Sequence, residues 1–485
     1  MRNVALNALW NVSGQVVSLI IGLLALPLLL RELGAERLGV FTLALGLIGF
    51  SGLFDLGLGR ALTQTVATAL AEGRRSEVVS ALVTRVLQLL GGFGLIWMLL
   101  LWLGAPWVAR TAFSLHGDLA AETTFGLRAL ALSIPVALIA AGAVGAMEGM
   151  QQFRLLSLWR MPMSVIQFGL PVAAAFMRPD IGWVIAALAL TRLLWMIVWL
   201  LQLRRLLPGG GAVADTSDLR HAFHFGGWLS VSNIIGPIMV YLDRFYLAAQ
   251  FPPATVAYYT VPLDASFRAT SLPQTAINAL FPAFAQARSR PELSGSMLGL
   301  ACQALIAIAL PPALLVAVFA EPLLTFWLGK AFTLGALPIF RLLILGMFCN
   351  SLAHPPYALI QANGRPDLTA KLHLLELPAF MLALGLAVHF FGITGAAIAW
   401  SLRVLVDGLL LYFVATRMQP KLKLVLPRIV TSTLLAIICL CLGVFCRIDW
   451  ILWLNGLAAC VGCAVLLQKL VRSLNALGAN QGGDL

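Results

Sequence analysis

Long apolar stretches separated by short polar breaks run through nearly the whole chain. A helix that crosses a bilayer needs about 20 predominantly apolar residues. By that rule the pattern predicts about fourteen spans, at roughly 10–30, 38–60, 79–104, 122–147, 155–176, 181–203, 223–249, 256–284, 295–320, 335–360, 368–391, 392–416, 426–446 and 450–470. The expected fold class is therefore all-α and polytopic. The first run is about twice the length of a signal-peptide core and no A-x-A cleavage site follows it, so it reads as a retained helix.

Composition agrees with the pattern. Of 485 residues 60% are hydrophobic and 11% charged, against about 45–50% and about 25% in ordinary soluble domains, and mean hydropathy is +0.93. The longest polar interval, Arg204 to Ala222, and the tail from Arg472 are too short to bury a core of their own. A soluble catalytic or nucleic-acid-binding domain is thereby excluded, and nucleic acid is not an expected partner. The net charge of +12 has its meaning in its distribution. With a cytoplasmic N-terminus, 17 basic residues fall in segments on the cytoplasmic face, and only Arg31, Arg37, Arg110, Arg178, Lys330 and Arg447 on the other. Both termini are expected in the cytoplasm, facing anionic lipid.

All seven cysteines lie within apolar stretches, where a thiol behaves as a small hydrophobe. Cys460 and Cys463 form a C-x-x-C with no second pair, so neither a disulfide, a metal nor a cofactor is expected.

Sliding the chain on itself by 218 residues places Trp10 on Trp228, Gly39 on Ala257, Phe41 on Tyr259 and Thr42 on Thr260. The offset falls to 215 at Gly149 on Gly364 and to 211 at Arg192 on Arg403, a drift of the kind that loop-length differences produce. The expected organisation is a six-helix lobe at 1–205, a cytoplasmic linker at 206–222 carrying Gly209, Gly210 and Gly211, a second six-helix lobe at 223–418, and two further helices with a tail at 419–485. An even number of helices per half gives both halves the same orientation, and parallel repeats of that kind mark transporters with a site between them.

The opening NALWNVSGQVVSLIIGLLALPLLLRELGAERLGVFTLALGLIGFSGLFDLGLGRALTQTVA resembles the polysaccharide-type flippases that carry lipid-linked oligosaccharides such as O-antigen units. AMEGMQQFRLLS, YLDRFYLAAQFPPATVAYYTVPLDA, ALIQANGRPDLTAKLHLLELP and FGITGAAIAWSLRVLVD extend the resemblance over roughly the first 415 residues. These flippases share a superfamily with the multidrug and toxic compound extrusion transporters. The resemblance implies a V-shaped pair of lobes around a cavity that opens alternately to each face. Its implied cargo is a polyprenyl pyrophosphate bearing an oligosaccharide, used for surface polysaccharide such as lipopolysaccharide. The implied location is the bacterial inner membrane, with Na+ or H+ as a coupling ion and polysaccharide polymerase machinery as a partner.

Nine arginines fall within the expected spans. At a lipid-facing bilayer centre each would cost about 2.5–3.5 kcal/mol, so those too deep to snorkel should face a polar interior. Arg192, Arg268 and Arg403 stand about 16–18 Å from the external ends of their helices. Arg60 lies near a cytoplasmic helix end and Arg244 near an external one. These five are the candidate pyrophosphate ligands, because guanidinium matches phosphate geometry. Asp264 with Arg268, and Arg403 with Asp407, are spaced for pairing along one helix face. Asp55 and Asp243 are candidate gates at opposite mouths, and Glu376, beside Pro378, is a candidate proton-coupling carboxylate. Adjacent helix positions diverge by about 100°, so Asp243 and Arg244 cannot both look into one cavity. No G-x-x-x-x-G-K-[ST] occurs, so ATP is not required. The alternatives are an ion-coupled drug exporter, which needs an acidic cavity, and a membrane glycosyltransferase, polymerase or ligase, which needs catalytic groups on a large external loop.

Overall fold

The computed structural model describes residues 2–49, 58–73, 75–207, 238–267, 291–424, 426–446, 455–466 and 468. Among them the chain is almost entirely helical, with no strand. Among the described residues eight helices are long and apolar enough to cross a membrane by length and composition. The expected linker lies outside the described residues from 208 onward, as do Asp55, Arg268 and residues 268–284 of the expected eighth span.

The helices are α1 (Arg2–Gly49), α2 (Leu58–Ala71), α3 (Ser76–Trp107), α4 (Gly117–Gly149), α5 (Phe153–Met177), α6 (Ile181–Leu206), α7 (238–250), α8 (253–267), α9 (Pro291–Val318), α10 (Ala320–Leu328), α11 (Lys330–Ala362), α12 (Pro366–Phe391), α13 (Ile393–Met418), α14 (Leu426–Phe445) and α15 (Asn455–Leu466). Two of these depart from the expected spans. The first two spans are one run of helix interrupted at Gly34, whose φ of 75° and ψ of 172° break the helical path. Hydropathy registers the polar residues there but not that the chain turns within a single glycine. The helix α2 is amphipathic and covers residues expected as the end of a span and a loop.

Two compact units are formed, Met1–Val261 and Pro262–Leu485. In the first, α4 packs most extensively on α6 and α3. In the second, α11 packs most extensively on α13, with α9 also against α11. The dominant pairs are therefore α4 with α6 in the first unit and α11 with α13 in the second. In the first unit α4 also approaches α2 closely: a Cβ at Gly145 would stand 2.5 Å from the Gly59 carbonyl oxygen, and one at Gly149 2.6 Å from that of Thr63. Only hydrogen allows that approach, which gives the G-x-x-x-G spacing a packing role.

Within the first unit, Thr42 Oγ1 and Thr260 Oγ1 are 2.7 Å apart. These are residues that the 218-residue offset superposes. At the break in α1, Arg37 donates to Glu122 through Nε (2.8 Å) and Nη2 (2.6 Å), and Glu122 also accepts from the Ile181 amide (3.1 Å). The bond to Glu122 raises the Arg37 pKa above its ordinary value. One bidentate pair therefore holds the starts of α4 and α6 to the turn after the first span. Asp180 caps α6 by accepting from the Gly182 amide at 2.8 Å.

Candidate functional site

In the first unit a cavity of about 210 Å³ opens among α1, α3, α4 and α6. Its walls are apolar, including Leu47, Trp97, Leu101 and Ile134, with Ser133 and a single charged side chain, Arg192. Nε of Arg192 has no hydrogen-bond partner. A guanidinium held in such a place is costly unless an anion or water completes it, so the cavity is chemically suited to a phosphate oxygen beside apolar chain.

Asp243 and Arg244 on α7 are buried, at 0% and 1% exposure. Asp243 accepts from the Tyr259 hydroxyl of α8, and its Oδ1 accepts from the Arg244 amide at 2.8 Å. The Arg244 guanidinium lies 4.9 Å from the centre of the Tyr241 ring, and its stem passes 3.6 Å from where a Cβ on Gly46 would be. Both residues are thus packed into the first unit. The arrangement can hold α7 and α8 in register. The equivalent of Tyr259 in the first repeat is Phe41, which lacks the hydroxyl, and that of Asp243 is Ala25.

In the second unit α12 and α13 bring His373, Glu376 and Asp407 together, with one donor atom of each within 4.8 Å of the others. His373 Nε2 is 3.6 Å from Asp407 Oδ1. Arg403, on the same face of α13 four residues before Asp407, has its guanidinium 5.5 Å from the centre of the Phe380 ring of α12. The donor set is compact enough for a small cation, and the nearby guanidinium works against a divalent one.

Of the expected site residues, the structure brings together Glu376, Asp407 and Arg403 in one place and Asp243 and Arg244 in another, while Arg192 borders the cavity. Asp264 is half-buried on α8. Arg60 begins α2, and its side chain is outside what is described. Arg268 and Asp55 lie outside the described residues. Sequence reasoning missed His373, Tyr259 and the Arg37–Glu122 pair. His373 stands one turn before Glu376, a spacing that could have drawn attention to it; the others depend on distant packing. All seven cysteines are free.

The fold defines the class. Over 96% of this chain and 99% of the other, the structure matches that of the lipid II flippase MurJ in an inward closed conformation, with a TM-score of 0.70 at 14% identity. It matches an inward-facing multidrug resistance MATE family transporter of the MOP superfamily over 86% and 99% of the two chains, with a TM-score of 0.66 at 16% identity. The fold is that of these membrane transporters. Residues 4–288, more than half of the chain, match the family described as polysaccharide biosynthesis protein, and the chain belongs to that family. A relative from Shigella flexneri, described as a candidate O-antigen transporter, is 29% identical over 412 residues, covering 85% of this chain and 97% of its own. These relatives are described as transporters and flippases, not enzymes.

Proposed function

We propose that the protein is a flippase that carries a polyprenyl-pyrophosphate-linked oligosaccharide from the cytoplasmic to the external leaflet of the inner membrane for surface polysaccharide synthesis. The observation that carries this reading is the similarity to an O-antigen transporter over nearly that protein's full length. Arg192 in its apolar cavity supports it, because such a place offers a guanidinium to a phosphate and apolar walls to a chain. The termini lie in the cytoplasm, as the asymmetry of basic residues favours. Alternating access, which exposes the cargo to each face in turn, is the mode of transport that parallel repeats imply.

On this reading Arg192 and Arg268 hold the pyrophosphate while the lipid tail stays in the bilayer, and Arg403, beside Glu376 and Asp407, balances their charge. Arg60 meets it on the cytoplasmic side and Arg244 secures the helices near the external mouth, with Asp55, Asp243 and Asp264 as partners of nearby guanidinium groups. A head group of charge about −2 leaving an interior about 100 mV negative gains about 4–5 kcal/mol, which biases the direction of movement.

The test is reconstitution into liposomes with a fluorescent polyprenyl-pyrophosphate oligosaccharide, following its accessibility to a membrane-impermeant quencher. Wild type is expected to equilibrate the lipid between leaflets, and Arg192→Ala and Arg268→Ala to slow it. A wild type that leaves the lipid in place and exports a cationic dye instead would overturn the substrate class in favour of a drug exporter.

A further inference from the structure

The depth, the walls and the size of the cavity beside Arg192 restrict what can occupy it. Arg192 stands about 16 Å along α6 from Ile181, and the hydrocarbon core of a bilayer is about 30 Å thick. The guanidinium is therefore near mid-depth. A phospholipid resident in either leaflet keeps its phosphate at the membrane surface, so an anion that meets Arg192 is one in passage between leaflets.

Two buried donors are left open here. Nε of Arg192 has no partner, and neither has Nε1 of Trp195, three positions further along the same side of α6. Trp195 packs against the same apolar core as the cavity residues Trp97 and Leu101. In the second half Arg403 has Glu376 within its electrostatic reach and Asp407 four residues on. The offsets of 215 and 211 place Met161 and Met196 at those two positions in the first half. The carboxylates are thus replaced by thioethers, and the charge of Arg192 is left for a ligand.

The cavity borders the lipid at α3. Leu100 lines it and is 56% exposed, and α3 is the least buried of the eight spans among the described residues. An apolar cavity of about 150 Å³ holds one benzene; at about 210 Å³ this one holds about eight carbons, or one to two five-carbon isoprene units. A methyl-branched unit fills such a hollow, whereas a straight chain leaves part of it empty and forfeits the contacts. Ser133 spends its hydroxyl proton on the Leu130 carbonyl at 2.7 Å, so the walls offer no set of polar groups with which to read a sugar.

We propose that this cavity is an isoprene subsite on the transport path. The one or two isoprene units next to the pyrophosphate enter it from the bilayer beside Leu100 while Arg192 meets the pyrophosphate, and the rest of the chain remains in lipid. This rests on the flippase reading for its cargo. It makes the carrier lipid, rather than the oligosaccharide, the part of the cargo that is recognised here, and it favours an isoprenoid over an acyl chain.

The test uses the full-length protein in nanodiscs with two photoreactive analogues of farnesyl pyrophosphate. One carries a diazirine on the isoprene unit next to the pyrophosphate, the other on the last unit. The first is expected to label α3 and α4 around Trp97, Leu101 and Ala137, and the second to label elsewhere. Unlabelled farnesyl pyrophosphate should compete about tenfold better than a straight-chain alkyl pyrophosphate of equal length. Ala137→Phe, which fills the cavity, and Arg192→Met, which removes its charge, should each lower the labelling about tenfold, in proteins that melt no lower than wild type. If the phenylalanine overpacks and the protein melts early, Ala137→Leu makes the same test with less bulk.

Labelling outside the cavity, or labelling that both variants leave unchanged, would overturn the subsite. If that same wild type moves the fluorescent polyprenyl-pyrophosphate oligosaccharide between leaflets, the flippase reading stands without it. Labelling of the cavity in a protein that moves no such lipid would do the converse. Equal competition by the straight-chain pyrophosphate would overturn isoprene as the occupant, and stronger competition by a cationic dye would overturn the anion.

Discussion

The 211-residue offset superposes Arg192 and Arg403, yet their surroundings differ in kind. Arg192 stands alone in an apolar cavity, with Leu158, Met161 and Met196 at the positions that His373, Glu376 and Asp407 fill in the second half. Arg403 shares its helix face with Asp407, and Glu376 is within its electrostatic reach. The same backbone thus presents an uncompensated cation in one half and an excess of carboxylate in the other. A cation without a partner is arranged for an anion; a carboxylate pair with one guanidinium is arranged for a further positive charge.

The comparison is sharpened first by the buried polar contact that belongs to neither site. Asp243→Ala leaves the Tyr259 hydroxyl and the Arg244 amide without their acceptor, and is expected to cost about 3 kcal/mol or more. It should lower the thermal unfolding midpoint in detergent well below that of Tyr259→Phe, which restores the first half's residue and costs about 1 kcal/mol. If the two variants melt together, Asp243 is not the anchor of α7 and α8.

The next test converts the second half into the first. His373→Leu with Glu376→Met and Asp407→Met exchanges a buried polar group for apolar packing, and is expected to raise stability by about 1–4 kcal/mol. A destabilised triple variant would mean that the acidic group holds α12 to α13. Arg192→Met is expected to keep or raise the melting point and to slow translocation of the lipid about tenfold, the effect of losing one charge-assisted hydrogen bond to phosphate. Unchanged translocation would remove the cavity from the path of the cargo. The smallest effect is in the contact between the repeats: a double-mutant cycle of Thr42→Val and Thr260→Val should give a coupling of about 0.6 kcal/mol, typical of hydrogen bonds between membrane helices. A coupling of zero would show that the two hydroxyls find other partners.

The spans were legible because lipid imposes a length and an apolar composition on any helix that crosses it, and α3, α4, α6, α11 and α13 lie within a few residues of where hydropathy puts them. Gly34 was not legible as a break, since a positive φ is a property of the backbone that hydropathy does not register. The short helix α2 escaped for a related reason: its amphipathic face belongs to packing on α4. Of the site, Glu376 and Asp407 stood out as carboxylates in apolar helices, but their companionship could not be read. It depends on the register of α12 against α13, which no single helix encodes. Tyr259 is a similar case, its hydroxyl having meaning only once α8 lies beside α7.

The meeting of Thr42 with Thr260 has a consequence for the origin of the chain. A polypeptide of half this length, carrying one threonine at that place, would rest that hydroxyl against its own twin in a second molecule. A single substitution there would then alter both sides of the seam at once. Were two such halves joined into one gene, the two sides of the seam would become free to vary separately.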